Sequence, residues 1–277
     1  MANITIGQYY SENSVIHKLD PRVKLFGTMV FIVCLFMADN LLGYLITTAA
    51  LVIVIRLSRV PFMKMMKGIK GILLILIISA AFNLFFTNEG NILISVGIIK
   101  ITTGGVIKAS YIAIRLIYLV IGTSVMTLTT KPSDLADGLE KSFGFLKKIR
   151  FPVHEMAMMM SLALRFIPTL MEETDKIMKA QKARGANFET GNLFQRIKSY
   201  LPLLIPLFIS AINRALELAT AMEARCYSGG NRTKLKPLKY EKNDKISYIL
   251  FAIYFLSIIL TDITVVMVDV LNILKFV

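Results

Sequence analysis

The sequence is poor in the side chains on which most enzymes depend. Its 277 residues include two cysteines and two histidines. Cys34 lies in an apolar run and Cys226 in a polar, basic stretch, so no disulfide framework can be argued. His17 and His154 stand far apart, with no Cys, Asp or Glu at the spacing of a zinc or iron site. The simplest reading of each is a surface or interfacial imidazole, and neither a metal nor a cofactor is predicted. Also missing are the phosphate loop G-x-x-x-x-G-K-[ST], the H-E-x-x-H and G-x-S-x-G motifs, and the D-x-x-x-D pair that holds magnesium in membrane prenyltransferases. No catalytic residue is predicted. Charge is scarce too: 18% of residues are charged, against about 25% in an average chain.

Apolar residues fill the difference, at 55% of the chain with a mean hydropathy of +0.64. They gather in long runs instead of alternating with polar residues, which places the chain among polytopic membrane proteins. The start reads Ile4, Gly7, Gln8, Tyr9 and Tyr10, and the first apolar run begins only after Lys24. No cleaved leader is expected.

The first block, Leu25 to Ile55, is broken at Asp39-Asn40, and each half falls short of the ~20 residues of a perpendicular span. Basic residues flank both ends of the block, from His17, Lys18, Arg22 and Lys24 to Arg56, Arg59, Lys64, Lys67 and Lys70. If these mark the cytoplasmic side, the block crosses twice, as a hairpin turning at Asp39-Asn40, with Lys24 and Arg56 snorkelling to extend it. A third span, Gly71 to about Phe86, ends outside at Thr87-Asn88-Glu89-Gly90. The β-branched run from Ile92 to Thr102 reads as a short external hairpin. Thr102 or Thr103 can cap a fourth span, about Val106 to Thr129. A fifth runs from Ile246 to about Leu260, leaving the carboxyl end outside.

On this topology, 28 of the 32 Lys+Arg are cytoplasmic. The net charge of +14 is therefore mostly the positive-inside bias, and no nucleic-acid partner is needed to explain it. Arg115 is the one clear cation inside a span. It is read either as a functional ion or as a side chain whose long stem reaches the outer interface or a backbone carbonyl. No span as drawn carries a mid-helix Asp or Glu, which argues against a self-sufficient ion-coupled carrier.

From Lys131 to Lys245 the chain is polar but still helical. Pro132 opens a helix that stops near Gly144 and the basic cluster Lys147, Lys148 and Arg150. A second helix, from about Val153, carries Met156, Met158, Met159 and Met160. Such a cluster suits either core filling or an adaptable partner surface. Glu172 to Ala186 is amphipathic and helical. A third long segment starts near Tyr200, with Pro202 and Pro206, and its stripe of Ala211, Ala215 and Ala219 would permit close helix crossing. Two helix ends share the pattern Ala-x-x-Ala-Arg: Ala180 to Arg184, followed by Gly185, and Ala221 to Arg225, followed by Cys226. A single arginine there is explained by the helix dipole. Two matching ones suggest a paired docking device for carboxylates.

Taken together, these residues resemble the transmembrane coupling component, or T component, of energy-coupling factor (ECF) transporters, of the shared vitamin-transporter type. The resemblance covers essentially the whole chain. It rests on Gly7-Gln8-Tyr9 with Ser14, His17, Leu19-Asp20-Pro21-Arg22 and Lys24-Leu25, on Thr129 to Leu135, on Arg165-Phe166-Ile167-Pro168, and on the two arginine ends. It implies an all-α polytopic membrane protein with about five transmembrane helices and a cytoplasmic coupling-helix domain inserted before the last span. The parts would be residues 1–130, 131–245 and 246–277. It further implies a non-catalytic subunit in the plasma membrane of a prokaryote, with its amino end cytoplasmic. Two ATPase subunits would dock on Ala183-Arg184-Gly185 and Ala224-Arg225-Cys226. A substrate-binding membrane subunit would carry the vitamin or other micronutrient, and Met156, Met158, Met159 and Met160 are candidates for its interface. Cys226 departs from the usual Ala-Arg-Gly. Two rivals are kept: the permease of a conventional ATP-driven importer, which would have one coupling loop, and a membrane enzyme of lipid or isoprenoid metabolism, which would need clustered carboxylates or histidines.

Overall fold

The structure is a computed structural model that describes residues 9–87, 91–96, 99–145, 152–186, 188, 192–228 and 238–274. Its elements are α1 (Val15–Lys18), α2 (Pro21–Met37), α3 (Leu41–Ser58), α4 (Phe62–Phe86), β1 (Ile92–Val96), β2 (Ile99–Thr102), α5 (Thr103–Thr129), α6 (Pro132–Ser142), α7 (Val153–Ala183), α8 (Leu193–Ala224) and α9 (Lys242–Leu274). The chain divides into two compact units within α6, after Gly138. One holds α1 to α5, the hairpin and α9, and the other holds α7 and α8.

In the first unit, local sequence sets the element ends. The α2–α3 break falls at Asp39-Asn40, as expected. The Thr102 hydroxyl caps α5 by accepting from the Gly105 N–H. β1 and β2 pair antiparallel with Val96 opposite Ile99. Leu51, Val60, Met65, Ile121, Val125 and Leu128 form a buried apolar cluster. Tyr10 packs against it, with its N–H on the Leu128 carbonyl at 2.8 Å and the Lys64 ammonium 3.7 Å above its ring. His17 donates from Nε2 to the Tyr10 carbonyl at 2.9 Å, so its neutral ring accepts at Nδ1 from the Ser14 hydroxyl at 2.7 Å. Burial holds this imidazole below its usual pKa, although the Tyr10 bond works the other way.

Two polar layers bound the helical bundle. At one end, Asp20 caps α2 and grips Arg22 bidentately at 3.0 and 2.7 Å. Asp244, 2% exposed, accepts from the N–H groups of Asp20 and Glu241 at 2.9 and 2.8 Å. It thereby completes half a capping box for α9 and joins that helix to α2. The Lys24 ammonium donates to the carbonyls of Thr129 and His17, which adds the end of α5. At the other end, Arg115 donates to the Ala38 carbonyl, the Asp39 carboxylate and the Tyr44 hydroxyl at 3.1, 2.9 and 3.1 Å. Asn40 donates to Asp262 of α9. Of the two readings of Arg115, the structure supports the cation reaching a backbone carbonyl at a helix turn. Both Asp20 to Ala38 and Asp244 to Asp262 cover 18 residues, or about 27 Å of helix, close to the ~30 Å of a bilayer's hydrocarbon core.

Among the described residues, five helices are long and apolar enough to cross a membrane: Leu41–Ser58, Phe62–Phe86, Thr103–Thr129, Lys198–Ala224 and Lys242–Thr264. Four coincide with expected spans. The 17-residue α2 is shorter than the others, yet it joins the same two polar layers as α9. Lys198–Ala224, within α8, qualifies by composition, but its apolar residues lie to one side of the helix. Those of α2, α3 and α4 surround the helix.

Glycines let these helices approach closely. A Cβ on Gly122 would lie 2.4 Å from the Phe31 ring, and one on Gly27 would lie 2.3 Å from the Phe251 ring. Gly122→Val should therefore cost about 1–3 kcal/mol by overpacking. Thermal unfolding of the purified protein in detergent checks this, and an unchanged midpoint would contradict the close approach.

Candidate functional site

The second unit is built on α7 and α8. α7 starts at Val153, as expected, and takes in the Glu172 segment read separately in sequence, whereas α8 starts earlier than the Tyr200 expected. α7 runs through Pro168 without a break, and α8 starts at Leu193, upstream of Pro202 and Pro206. His154 Nδ1 lies 2.9 Å from Glu140 Oε1 and ties the start of α7 to α6.

Both arginine ends close in the same way. At α7, the Gly185 N–H donates to the Lys182 carbonyl and the Ala186 N–H to that of Gln181, at 3.0 and 2.9 Å. At α8, the Cys226 N–H donates to Glu223 and the Tyr227 N–H to Met222, at 2.8 and 2.9 Å. Each set is a Schellman motif with the arginine at the last helical boundary and the next residue left-handed. Gly185 has φ +87 and Cys226 has φ +55. The departure from glycine at Cys226 therefore leaves the helix end in the same register. Ala183, Arg184, Gly185, Ala224, Arg225 and Cys226 are all exposed.

A non-glycine residue in the left-handed region costs about 1–2 kcal/mol. Glycine would relieve that cost but would free the unfolded chain by about 0.4–1 kcal/mol. Cys226→Gly is thus expected to change stability by less than about 1 kcal/mol. The β-branched Cys226→Val should open the last turn, visible as faster amide hydrogen exchange at Cys226 and Tyr227.

The two helices run antiparallel. Glu173 of α7 meets Ser210 and Arg214 of α8, and the Tyr227 hydroxyl, just past α8, lies 3.1 Å from the Met158 sulfur near the start of α7. Arg184 and Arg225 therefore project at opposite ends of the pair. With 1.5 Å per residue, they lie about 36 Å apart along it. The methionine cluster shares the Arg225 end. Met156, Met159 and Met160 are exposed at 44%, 57% and 44%, whereas Met158 is turned toward Tyr227. The structure thus brings three of the four methionines to one open surface and separates the two arginines.

The alanine stripe does not form the contact. Ala215 and Ala219 are exposed, because a spacing of four drifts about 40° per step around a helix of 3.6 residues per turn. The less exposed line runs through Leu203, Leu207, Ala211, Arg214, Leu218 and Met222. Glu173, Ser210 and Arg214 were not marked by any sequence motif, since their signal is a polar position on an apolar seam whose pairing emerges only in the folded chain. Among the described residues, no group of three or more His, Cys, Asp or Glu could hold a metal ion.

The profile of a family described as cobalt transport protein matches residues 12–235. Energy-coupling factor transporter transmembrane proteins are similar over nearly their full lengths. The one from Thermosediminibacter oceani is 48% identical over 250 residues, covering 90% of this chain and 94% of that protein. Those from Clostridium kluyveri and Bacillus subtilis are 49% and 45% identical, each over 88% of this chain and 92% of the relative.

Proposed function

Because the chain belongs to the family of energy-coupling factor transporter transmembrane proteins, we propose that it passes ATP-driven motion from two ATPase subunits to a substrate-binding membrane subunit. The ATPases bind and hydrolyse the nucleotide, and this multi-pass membrane chain contributes no chemistry of its own. The observation that carries the proposal is the pair of matching helix ends, built alike and set at opposite ends of one helix pair. Each exposed guanidinium, standing on a small-residue shoulder, can meet a carboxylate in a groove of one ATPase and bind it bidentately. Two ATPases are thereby held by one rigid element.

α7 and α8 serve as coupling helices on the cytoplasmic side. Their one-sided apolar faces suit helices that lie along a membrane or a partner. The open methionines Met156, Met159 and Met160 form the surface for the substrate-binding subunit, which brings the vitamin or micronutrient. The amino end is cytoplasmic and the carboxyl end external, in the plasma membrane of a prokaryote, in keeping with the placement of Lys and Arg.

Reconstitution tests the whole reading. Liposomes holding this chain, two ECF ATPases and a substrate-binding subunit should take up that subunit's vitamin only with ATP. Leaving out this chain should abolish uptake. Uptake by this chain alone would overturn the proposal in favour of a self-sufficient carrier.

A further inference from the structure

The seam between α7 and α8 is apolar along most of its length. On α8 it runs through Leu203, Leu207, Ala211, Leu218 and Met222, and on α7 through Leu162, Phe166 and Ile177, all of them buried or half-buried. Apolar side chains repeating at this spacing do not choose one alignment. Sliding one helix past the other by seven residues, about 10 Å, would keep the same two helix faces in contact.

One place breaks that degeneracy. Glu173 Oε1 accepts from the Ser210 hydroxyl at 2.5 Å, and Glu173 Oε2 accepts from Arg214 Nη2 at 3.2 Å. The contact near the other end is in step with it, since Glu173 opposite residues 210–214 places Met158 beside Tyr227, as observed. A slip of seven residues in either direction would set the Glu173 carboxylate against Leu203 and Leu207, or against the Glu217 carboxylate and Ala221. None of those side chains has a donor. A carboxylate moved from two donors to an apolar surface loses its bonds and part of its hydration, and one moved against a second carboxylate is repelled as well, so only one alignment satisfies it. Ser210 and Arg214, one helical turn apart on α8, converge on the two oxygens of a single carboxylate. That convergence sets the position along the seam while leaving the helices able to turn about it.

We propose that Glu173, Ser210 and Arg214 form a clasp that fixes the alignment of α7 with α8 and so sets the distance between the two arginine ends. These are positioning residues: they would touch neither ATPase nor substrate, and would act by holding Arg184 and Arg225 where two partners can be engaged together. Their role in transport rests on the coupling function proposed above, whereas their role in alignment does not.

Two measurements on the assembled transporter test the clasp. Spin labels at Lys179→Cys and Ala219→Cys, in a Cys34→Ala, Cys226→Gly background, report the distance along the pair. The unmodified clasp should give one narrow distance. Glu173→Leu, which completes an apolar seam without removing packing, should add populations displaced by about 10 Å. Vitamin taken up per ATP hydrolysed should fall several-fold, while ATPase co-purification persists. The exchange Glu173→Arg with Arg214→Glu should restore the single distance and the uptake ratio. A single unchanged distance in Glu173→Leu would overturn the clasp, as would an unchanged uptake ratio alongside displaced helices. If the unmodified transporter shows no ATP-dependent uptake, the coupling proposal fails, and the distance measurement still decides the alignment.

Discussion

Reversing both arginine ends, with Arg184→Glu and Arg225→Glu together, should reduce ATP-driven uptake to background and abolish co-purification of the ATPases. A hydrogen bond to a charged group contributes about 1.5–3 kcal/mol. Losing two of them weakens docking on the order of 10³-fold, and each glutamate then adds repulsion against the partner's carboxylates. Either single reversal should leave the chain tethered at its other end and retain measurable ATPase at high protein concentration. Folding should be little affected. Both side chains are exposed, the helix ends are closed by backbone hydrogen bonds, and surface substitutions of this kind usually lie within about 0.5 kcal/mol. The double variant should therefore insert in the membrane at normal levels and unfold at the usual temperature. Unchanged co-purification and uptake would remove the docking assignment.

Asp244→Ala should destabilise the membrane unit by about 3 kcal/mol. Asp244 is 2% exposed, and its two oxygens satisfy backbone N–H groups at Asp20 and Glu241, at the starts of two different helices. Alanine leaves both donors without an acceptor, and a buried unpaired donor costs about 1–3 kcal/mol. A chain of this size should lose roughly 10 °C in its unfolding midpoint. Asp244→Asn keeps one acceptor oxygen and should recover about half of the loss. Thermal unfolding in detergent distinguishes the three proteins. If alanine matched the unmodified chain to within a degree or two, Asp244 would not be joining α2 to α9.

What could be read from sequence was local. The turn at Asp39-Asn40, the Thr102 cap, the hairpin before α5 and the proline start of α6 each depend on a few neighbouring residues. Those residues dictate the same backbone wherever they occur. The arginine ends were legible for the same reason, since a Schellman motif is complete within six residues. The start of α8 was misjudged because Pro202 and Pro206 read as boundaries. Each proline removes one helical N–H donor, and the helix nevertheless continues through both. The bonds that tie elements together were not legible at all. Asp20 and Asp244 lie 224 positions apart, and Glu173 lies 37 from Ser210. Neither pair has a spacing that a periodic pattern could reveal. The stripe of alanines misled in the opposite way, offering a regular spacing that the helix turns away from its neighbour.

The antiparallel pairing has a geometric consequence of its own. Measured from the level of the clasp, Arg184 stands about 16 Å away in one direction and Arg225 about 20 Å in the other. A half-turn about an axis through the clasp therefore nearly exchanges the two ends, although they belong to different helices. A pair of ATPases arranged around a twofold axis would meet this chain with the axes superimposed, and would need no asymmetry to seat both ends. The forces from such a pair divide into components across the axis and along it. Forces directed across the axis are opposite at the two ends, so they cancel as translation and survive as torque or compression. Forces directed along the axis add. Under the proposed coupling function, movement of the ATPases would reach the chain as a turn about that axis, a squeeze along the pair, or a push down the axis.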